Sequence, residues 1–444
     1  MKKGKKLIAI LTFFALNVMI CMAATAHIYV SPSGSDLSDG GKRAPLKTPA
    51  QALIKVRQMH KRDTVYIHLA DGVYPLDEPL RLRAEDSGTE DSPLVIVADH
   101  PGKAFLSGGK NIDMNERLVG LNWWKEQPVV GNHTVEVRQL WRGGEKVPHS
   151  SLVPLDSLME IAGFSRERQE LWIQAADFDP VLDLIYGSRL GLAEDERIMR
   201  AVKSEEIRGL EFVACTERTF SVLRVRNFWV DGDLVKFTFH NPESRVLFSR
   251  PEMPLFYNMI GGYSLVYPGT WYQDPKDGSI VYDPDEADRA AGHNDASTPF
   301  VIPVLEHLVQ IQGSDADPVH HIIFRGVAFE YTAWLHPARS GAVTVPGGNY
   351  MLTGGLVDRQ EAAVSIACAH HVDFADCQFL HIGATAIDYQ PGCSQGSVTG
   401  CHFSDIGGSA IATPKNPGES GFRILRNTFE GLSNEIWFSD AIRQ

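Results

Sequence analysis

The stretch 372–383 reads VDFADCQFLHIG, and two later stretches repeat its pattern, VTGCHFSDIG at 398–407 and ILRNTFEGL at 424–432. The repeat aligns Phe379, Phe403 and Phe429, which lie 24 and 26 residues apart. A fourth unit, IIFRGVAF at 322–329, ends on a phenylalanine 50 residues before Phe379. A period of about 24 residues indicates a solenoid, in which each unit stacks on the next.

Each repeat consists of short β-branched and aromatic runs separated by Gly, Asn and Asp. This composition favours strands and turns over helices. The repeat therefore predicts an all-β fold, a parallel β-helix, whose inward side chains stack on their equivalents one coil away at about 4.8 Å. Phe329, Phe379, Phe403 and Phe429 are predicted to form an internal aromatic ladder.

The cysteines do not suggest a disulfide framework. Cys377 and Cys401 share one position of the repeat with Asn427, a position typical of turn-capping or small buried residues. A Cys377–Cys401 disulfide is a less favoured alternative, because the five cysteines beyond the leader are odd in number and irregularly spaced. The sequence has no C-x-x-C pair, so zinc and dithiol redox chemistry are not expected.

The rest of the chain divides into three parts after the leader. Residues 27–114 read as an N-terminal cap and first coils: Thr48 is the N-cap and Pro49 the first residue of a short helix that covers the open end. The repeat is lost over residues 115–300, where alternating stretches predict an inserted antiparallel β-rich domain. Residues 301–444 return to coils. Within them, the segment from Ala333 to Glu361 delays the next strand and reads as a long functional loop.

The composition is that of a folded, acidic protein. The 444 residues are 43% hydrophobic and 22% charged, with a formal net charge of −13. These values exclude a disordered or many-span membrane protein, and argue against nucleic acid or anionic membranes as partners. The sequence gives no sign of an obligate oligomer, so we expect a monomer.

The first 26 residues have the form of a secretory signal peptide. A basic start, Met1 to Lys6, precedes an apolar run from Leu7 to Cys21 and an Ala24-Thr25-Ala26 cleavage form. A retained anchor is the alternative, but fifteen apolar residues fall short of the roughly 20 that span a bilayer. The leader predicts a secreted or periplasmic protein.

Several segments together resemble a known group of proteins. They are YVSPSGSD at 29–36, TPAQAL at 48–53, DGVY at 71–74, SGG at 107–109, PGTWYQD at 268–274 with VYDP at 281–284, and FEYTAW at 329–334. In these the chain is similar to bacterial secreted right-handed β-helix proteins of the kind that includes glycoside hydrolase family 141. The resemblance implies a right-handed coil and a carbohydrate substrate of plant cell-wall type. It also implies further coils beyond Gln444, so the sequence is interpreted as C-terminally truncated.

Carboxyl groups are the expected catalytic residues, because glycoside hydrolysis normally uses two of them. Two residues past each ladder phenylalanine come Tyr331, His381, Asp405 and Gly431, so we predict a polar column with His381 beside Asp405. Asp405 is the first catalytic candidate, although it is also a natural turn cap. Asp388, read as the acid that leaves a strand, is the second, and Glu330 is the third. His381 of the column is a further catalytic candidate.

Substrate-binding residues are expected among aromatic and charged groups, since sugars present apolar faces and hydroxyls. Trp334, Tyr350 and Trp271 are candidate platforms, with packing as the alternative for each. His336 and Arg339 accompany them.

The paired histidines at 320–321 and 370–371 resemble a metal pair. Equivalent turn positions on neighbouring coils explain them better, because no carboxylate recurs at a fixed spacing. No metal and no cofactor are expected, and the sequence has no P-loop, dinucleotide fingerprint or G-x-S-x-G elbow.

Three functions remain open from the sequence. The leading hypothesis is a glycoside hydrolase that acts on a plant-type polysaccharide or oligosaccharide. A polysaccharide lyase on the same fold would need a basic residue beside the groove, for which Arg339 and Arg359 are available. A non-catalytic glycan-binding protein is the third.

Overall fold

The fold was analysed in a computed structural model of the chain. The structure describes residues 25–59, 64–114, 116–118, 123–155, 157–178, 209–262, 265–291, 298–345, 349–414 and 420–430. Most of the predicted leader, Gly431 of the predicted column and the C-terminal end lie outside these residues.

Three parallel sheets form the larger part of the molecule. Sheet A contains β1 (Thr25–Val30), β2 (Thr64–Leu69), β5 (Leu94–Ala98), β25 (Val319–Arg325), β31 (Ala369–Ala375), β34 (Ser397–Thr399) and β37 (Arg423–Leu425). Sheet B contains β3 (Gly72–Pro75), β6 (Ala104–Ser107), β26 (Val327–Thr332), β32 (Gln378–Ile382), β35 (His402–Ile406) and β38 (Thr428–Glu430). Sheet C contains β4 (Leu80–Leu82), β24 (Val309–Gln312), β30 (Ala362–Ala367), β33 (Thr385–Tyr389) and β36 (Ile411–Ala412).

The chain visits these sheets in rotation. From β30 onward it runs C, A, B and again C, A, B, and each strand pairs in parallel with its equivalent in the next passage. Side chains from all three sheets share one hydrophobic core. The predicted all-β fold with parallel sheets is confirmed.

The predicted aromatic ladder is present inside sheet B. Phe329, Phe379, Phe403 and Phe429 are partners in register on four successive strands. Their ring centroids lie 4.7, 4.8 and 5.2 Å apart, with interplanar angles of 7°, 6° and 21°. These spacings equal one strand separation, because identical side chains at one register position must stack at that distance.

A second stack lines sheet A, which the alignment of the phenylalanines did not reveal. Phe324 and Phe374 stack at 5.2 Å and 6°, and Phe374 also contacts the edge of Phe379.

Asn427 caps a turn as expected: its side-chain oxygen accepts from the Cys401 N–H at 2.8 Å. Cys377 and Cys401 are not joined by a disulfide.

The first helix, α1 (Pro49–Arg57), begins where predicted. The Thr48 hydroxyl caps it by accepting from the Gln51 N–H, and Pro49 is its first residue. Ala52 and Leu53 are buried in the core of the parallel sheets, so the helix covers the start of that core.

The residues between β6 and β24 form antiparallel sheets. A four-stranded sheet contains β7 (Gly109–Ile112), β12 (Leu140–Arg142), β13 (Glu145–Val147) and β23 (Phe300–Pro303). A second contains β8 (Glu116–Arg117), β9 (Trp124–Glu126), β21 (Thr270–Gln273) and β22 (Ile280–Asp283). The largest contains β14 (Met159–Glu160), β15 (Gly163–Ser165), β16 (Glu170–Gln174), β17 (Glu211–Cys215), β18 (Phe220–Asp231), β19 (Leu234–Phe239), β20 (Phe256–Ile260) and β27 (Ala342–Val343).

The remaining elements are short. The ribbons are β10 (Val129–Val130) with β11 (His133–Thr134), and β28 (Tyr350–Met351) with β29 (Val357–Asp358). The helices are a 3-10 turn (Ala84–Asp86), α2 (Glu243–Ser249), α3 (Glu286–Ala291) and α4 (His336–Ser340). In the described ranges, no helix has the length and apolar character needed to cross a membrane.

The segment from Ala333 to Glu361 differs from the predicted long loop. It contains α4 and three short strands, and β27 adds to the largest antiparallel sheet beside Ser221 and Val222. The segment therefore joins the parallel and antiparallel parts, because its backbone groups pair with that sheet.

Candidate active site

The predicted polar column lies on sheet B. Tyr331, His381 and Asp405 have positive φ angles of 56°, 55° and 53°. Each is skipped by the strand pairing, which joins Leu380 to Ser404 and Ile382 to Ile406 on either side. One residue is left out on each strand, so the register does not shift, and the positive φ is costly for a residue other than glycine.

The three side chains contact one another along the column. The Tyr331 and His381 rings stack with centroids 4.8 Å apart. Nδ1 of His381 lies 2.9 Å from Oδ2 of Asp405. The sequence-based prediction of a column is therefore confirmed, and Asp405 bonds to side chains of other segments rather than capping its own turn.

The antiparallel part supplies a further partner. The indole N–H of Trp141, on β12, donates to the same Asp405 oxygen at 3.0 Å. The Trp141 ring meets the His381 and Tyr331 rings edge-on, and the Lys146 ammonium lies 5.9 Å from the Trp141 centroid. Asp405 is thus held from two sides, by its own sheet and by the four-stranded sheet that packs over it.

These contacts control the charge of Asp405. Burial by itself raises the pKa of the Asp405 carboxyl. The hydrogen bonds from His381 and Trp141 and the charge of Lys146 lower it more, so the pKa of Asp405 lies below its ordinary value. The side chains of His381 and Asp405 remain 22% and 19% exposed. Asp405 is therefore an ionised and accessible carboxylate at neutral pH.

Glu330 lies next to the column with the opposite tendency. It follows the buried Phe329 on β26, so its side chain points to the outer face of sheet B. Burial raises the pKa of the Glu330 carboxyl, although a hydrogen bond to Ser107 and the charge of His381 oppose the shift. Two carboxyls whose environments move their pKa values apart are the usual mark of an acid and a base.

Glycine allows the site to be covered closely. A Cβ atom on Gly108 would lie 2.5 Å from the Tyr331 carbonyl oxygen, so only glycine fits there.

Beside the column, the Gln139 amide nitrogen approaches the Gly383 carbonyl oxygen at 3.5 Å. The Gln139 side-chain oxygen is buried and accepts no hydrogen bond from the described residues. It is an available acceptor at the edge of the column.

Asp388 has a different setting from the one predicted. It lies within β33 on sheet C instead of leaving a strand, and it is 1% exposed. Its carboxylate accepts from the Arg359 Nε at 2.9 and 3.0 Å and also binds the Arg359 Nη2. Its catalytic role stays a prediction, and the geometry favours a buried ion pair between the Ala333–Glu361 segment and sheet C.

We expect Asp388→Asn to act mainly on stability. The change leaves the largely buried Arg359 cation without its partner, which costs about 2–3 kcal/mol of the free energy of unfolding. Urea unfolding followed by circular dichroism measures this cost. Arg359→Gln combined with Asp388→Asn should recover most of it. A normal unfolding midpoint with lost activity would instead support catalysis by Asp388.

Four predicted binding residues lie in the Ala333–Glu361 segment and bind the carboxylates of Glu361 or Glu306, or contact a residue that does. His336 stacks on Tyr350 at 3.8 Å and lies 3.3 Å from the Glu361 carboxylate. The Tyr350 hydroxyl donates to Glu361 at 2.7 Å and contacts the Trp334 indole N–H. Burial raises the pKa of the Glu361 carboxyl, but the bonds from His336 and Tyr350 outweigh it and the pKa lies below its ordinary value. Arg339, the fourth, pairs with Glu306.

The three predicted platforms are all buried. Trp334 is 6% exposed and Tyr350 and Trp271 are each 1% exposed. The Trp271 indole N–H donates to the Val147 carbonyl at 3.1 Å within the antiparallel core. Burial favours packing, the alternative left open from the sequence. Of the predicted binding residues, His336 and Arg339 keep side chains that solvent reaches.

The paired histidines occupy equivalent positions on adjacent strands. His320 pairs with His370 in register, and the His321 and His371 rings stack at 4.5 Å. Across the residues for which coordinates are described, no group of three or more His, Cys, Asp or Glu side chains has metal-binding geometry.

Sequence reasoning missed the site residues that come from outside the repeat. Trp141, Lys146 and Gln139 belong to the antiparallel part and carry no period that links them to Asp405. Glu361 and Glu306 were missed because both lie in segments whose composition is that of an ordinary loop. Only Trp141 had a usable signal, as a large side chain in a short strand where a buried indole needs a hydrogen-bond partner.

Three comparisons bear on this arrangement. Residues 120–285 match the family model described as the GH141 insertion domain. A solved structure titled "Glycoside hydrolase" is 28% identical, covers 93% of this chain and 74% of its own, and superimposes with a TM-score of 0.80. A second, "The complex structure of XylC with xylose", is 11% identical, covers 92% of this chain and 55% of its own, and has a TM-score of 0.44. No curated protein matches the chain.

Proposed function

We propose that the protein is a glycoside hydrolase whose active site is the column on sheet B. The single observation that carries the proposal is the ionised Asp405, held by His381 and Trp141, on the same sheet face as Glu330 with its raised pKa. The match of residues 120–285 to the GH141 insertion domain and the similarity to a structure titled as a glycoside hydrolase support it.

The two carboxyls take different roles. Glu330 is the general acid, because its raised pKa favours the protonated form that donates to the leaving oxygen. Asp405 is the base that takes a proton from water or stabilises the developing positive charge. His381 is a positioning residue, since its hydrogen bond fixes the Asp405 carboxylate.

The spacing of the strands favours inversion. Glu330 lies on β26 and Asp405 on β35, with β32 between them, so their backbones are about 9–10 Å apart along the stack. Inverting enzymes separate their carboxyls by about 6.5–9.5 Å to admit a water molecule, against about 5–5.5 Å for retaining enzymes. The side chains of this pair need to lean only slightly toward each other to reach the inverting range.

A polysaccharide lyase is less well supported. It needs a basic residue free to abstract a proton beside a uronate, and both available arginines are engaged. Arg339 is paired with Glu306 and Arg359 with Asp388. New reducing ends without unsaturated uronate absorbance are the product expected of the hydrolase. Unsaturated products would favour the lyase, and binding without turnover would favour a glycan-binding protein.

We infer in addition that the three parallel sheets form a right-handed parallel β-helix, capped by α1 and interrupted by a domain over residues 115–300. The rotation of the chain through the sheets and the stacked phenylalanines support this fold. On this proposal the substrate is a plant cell-wall type glycan, and the predicted leader delivers a monomer to the periplasm or the exterior.

The pH dependence of hydrolysis follows from the two pKa directions. Activity falls as pH drops through the lowered pKa of Asp405, because the base is then protonated. It falls as pH rises through the raised pKa of Glu330, because the acid is then ionised. Glu330→Gln should remove the decline in activity at alkaline pH. It should slow the hydrolysis of alkyl glycosides about 100-fold or more, while the hydrolysis of aryl glycosides with acidic leaving groups is slowed far less.

The control for this variant is Glu145→Gln, which neutralises an exposed carboxyl on β13 of the covering sheet. Initial rates over a range of pH on both substrate types provide the measurement. Equal losses on alkyl and aryl glycosides, or a persisting alkaline decline, would remove Glu330 from the acid role.

A further inference from the structure

A polar cavity of about 630 Å³ lies in the antiparallel part, apart from the column. Its walls come from the segment before β12, from β17, β18 and the turn after β21, and from Ala338 at α4. Its volume lies within the usual range for small-molecule sites. The segment that supplies Arg138 continues into β12, three residues before Trp141, so the cavity neighbours the column along the chain.

Two of the cavity's arginines are fixed and neutralised. Arg138 makes two hydrogen bonds to Glu211, at 2.5 and 2.8 Å. Arg224 makes two to the buried Glu243, at 2.7 and 3.1 Å, and donates to the carbonyl of Ala338. These pairs give the cavity rigid walls without adding net charge, because each cation faces its own carboxylate.

The remaining titratable groups of the cavity include two basic and two acidic side chains. Arg226 is exposed on one wall and makes no ion pair or hydrogen bond with the described residues. His240 lies beside it, and burial followed by the charges of Arg224 and Arg226 lowers the pKa of the His240 imidazole. Glu136 and Asp274 also line the cavity. Burial raises the pKa of the Glu136 carboxyl.

We propose that this cavity binds a saccharide that bears a carboxylate. Arg226 and His240 would hold the carboxylate, because a guanidinium offers paired donors to it and the imidazole a further one. Glu136 and Asp274 would accept hydrogen bonds from the sugar hydroxyls.

Calorimetric titration of the full protein with trigalacturonate tests the proposal. Its methyl-esterified form is an uncharged probe with the same sugar units. The Asp405→Asn variant is used so that turnover does not interfere. Binding of the acid should exceed that of the ester, and Arg226→Gln should weaken it about 10- to 100-fold, the usual range for a lost charge-assisted hydrogen bond. Arg218→Gln, which changes an exposed arginine on the turn before β18, should leave it unchanged.

Other outcomes decide against the cavity. Equal binding of acid and ester, or no binding at millimolar concentration, would overturn the proposal. Binding that survives Arg226→Gln but is lost in His381→Ala would place the saccharide at the column instead. The cavity proposal is independent of catalysis, since a protein without hydrolase activity can still bind trigalacturonate through Arg226.

Discussion

Asp405→Asn should abolish most of the hydrolysis while the protein stays folded. The asparagine keeps the shape of the side chain and an oxygen that accepts from the Trp141 indole, but it loses the negative charge. Loss of a general base lowers the rate about 10²- to 10⁴-fold. The fall should appear in kcat, because the group acts on the reacting atoms and contributes little to binding of the intact substrate.

A matched control is available on another sheet. Asp373 accepts a hydrogen bond from Ser397 on the adjacent strand at 2.7 Å, much as Asp405 bonds across strands, but it lies on sheet A. Asp373→Asn should keep its activity. Release of reducing ends and the melting temperature of both variants are measured together. If Asp405→Asn retains a tenth or more of the activity with a normal melting temperature, the column is not the catalytic site.

Phe379→Ala should cause the largest loss of stability. The ring lies between Phe329 and Phe403 with centroids 4.7 and 4.8 Å away, and it is completely buried. Its removal leaves a cavity between rigid strands, which costs about 3–5 kcal/mol of the free energy of unfolding. The urea midpoint, or the yield of folded protein, measures the effect.

Two further variants separate packing from a general effect of mutation. Phe379→Leu refills most of the space and should cost clearly less. Phe164→Ala changes a ring that is 41% exposed at the antiparallel edge, and should shift the midpoint little. A small effect of Phe379→Ala would show that the stacked rings do not hold the coils together.

The stacking of the parallel strands could be predicted from the sequence because its contacts repeat. Residues about 24 positions apart in the sequence are partners in register on stacked strands. The contact between Phe379 and Phe403 could therefore be predicted from their spacing alone. The same periodicity placed Tyr331, His381 and Asp405 in one column. The stack of Phe324 on Phe374 also follows the repeat but was not predicted, because only the later phenylalanine of each unit was aligned.

The contacts that cross between the two parts were not predictable by this route. Trp141 and Asp405 are 264 residues apart, and their meeting depends on how the antiparallel sheets pack on sheet B. Asp388 was misread because its strand extends two residues further than expected, which turns a strand-end acid into a buried one. Its partner Arg359 comes from a segment that has no repeat.

The hydrogen bond between Trp141 and Asp405 limits how this stack of parallel strands can change in length. A ladder of identical rungs tolerates the gain or loss of a whole unit, since each rung needs only a neighbour. One unit added between β32 and β35 would carry Asp405 about 4.8 Å along the axis, beyond the reach of an indole 3.0 Å away. Units can therefore be duplicated without breaking this hydrogen bond only after Asp405. The number of units before it is fixed by the position of Trp141 on the four-stranded antiparallel sheet.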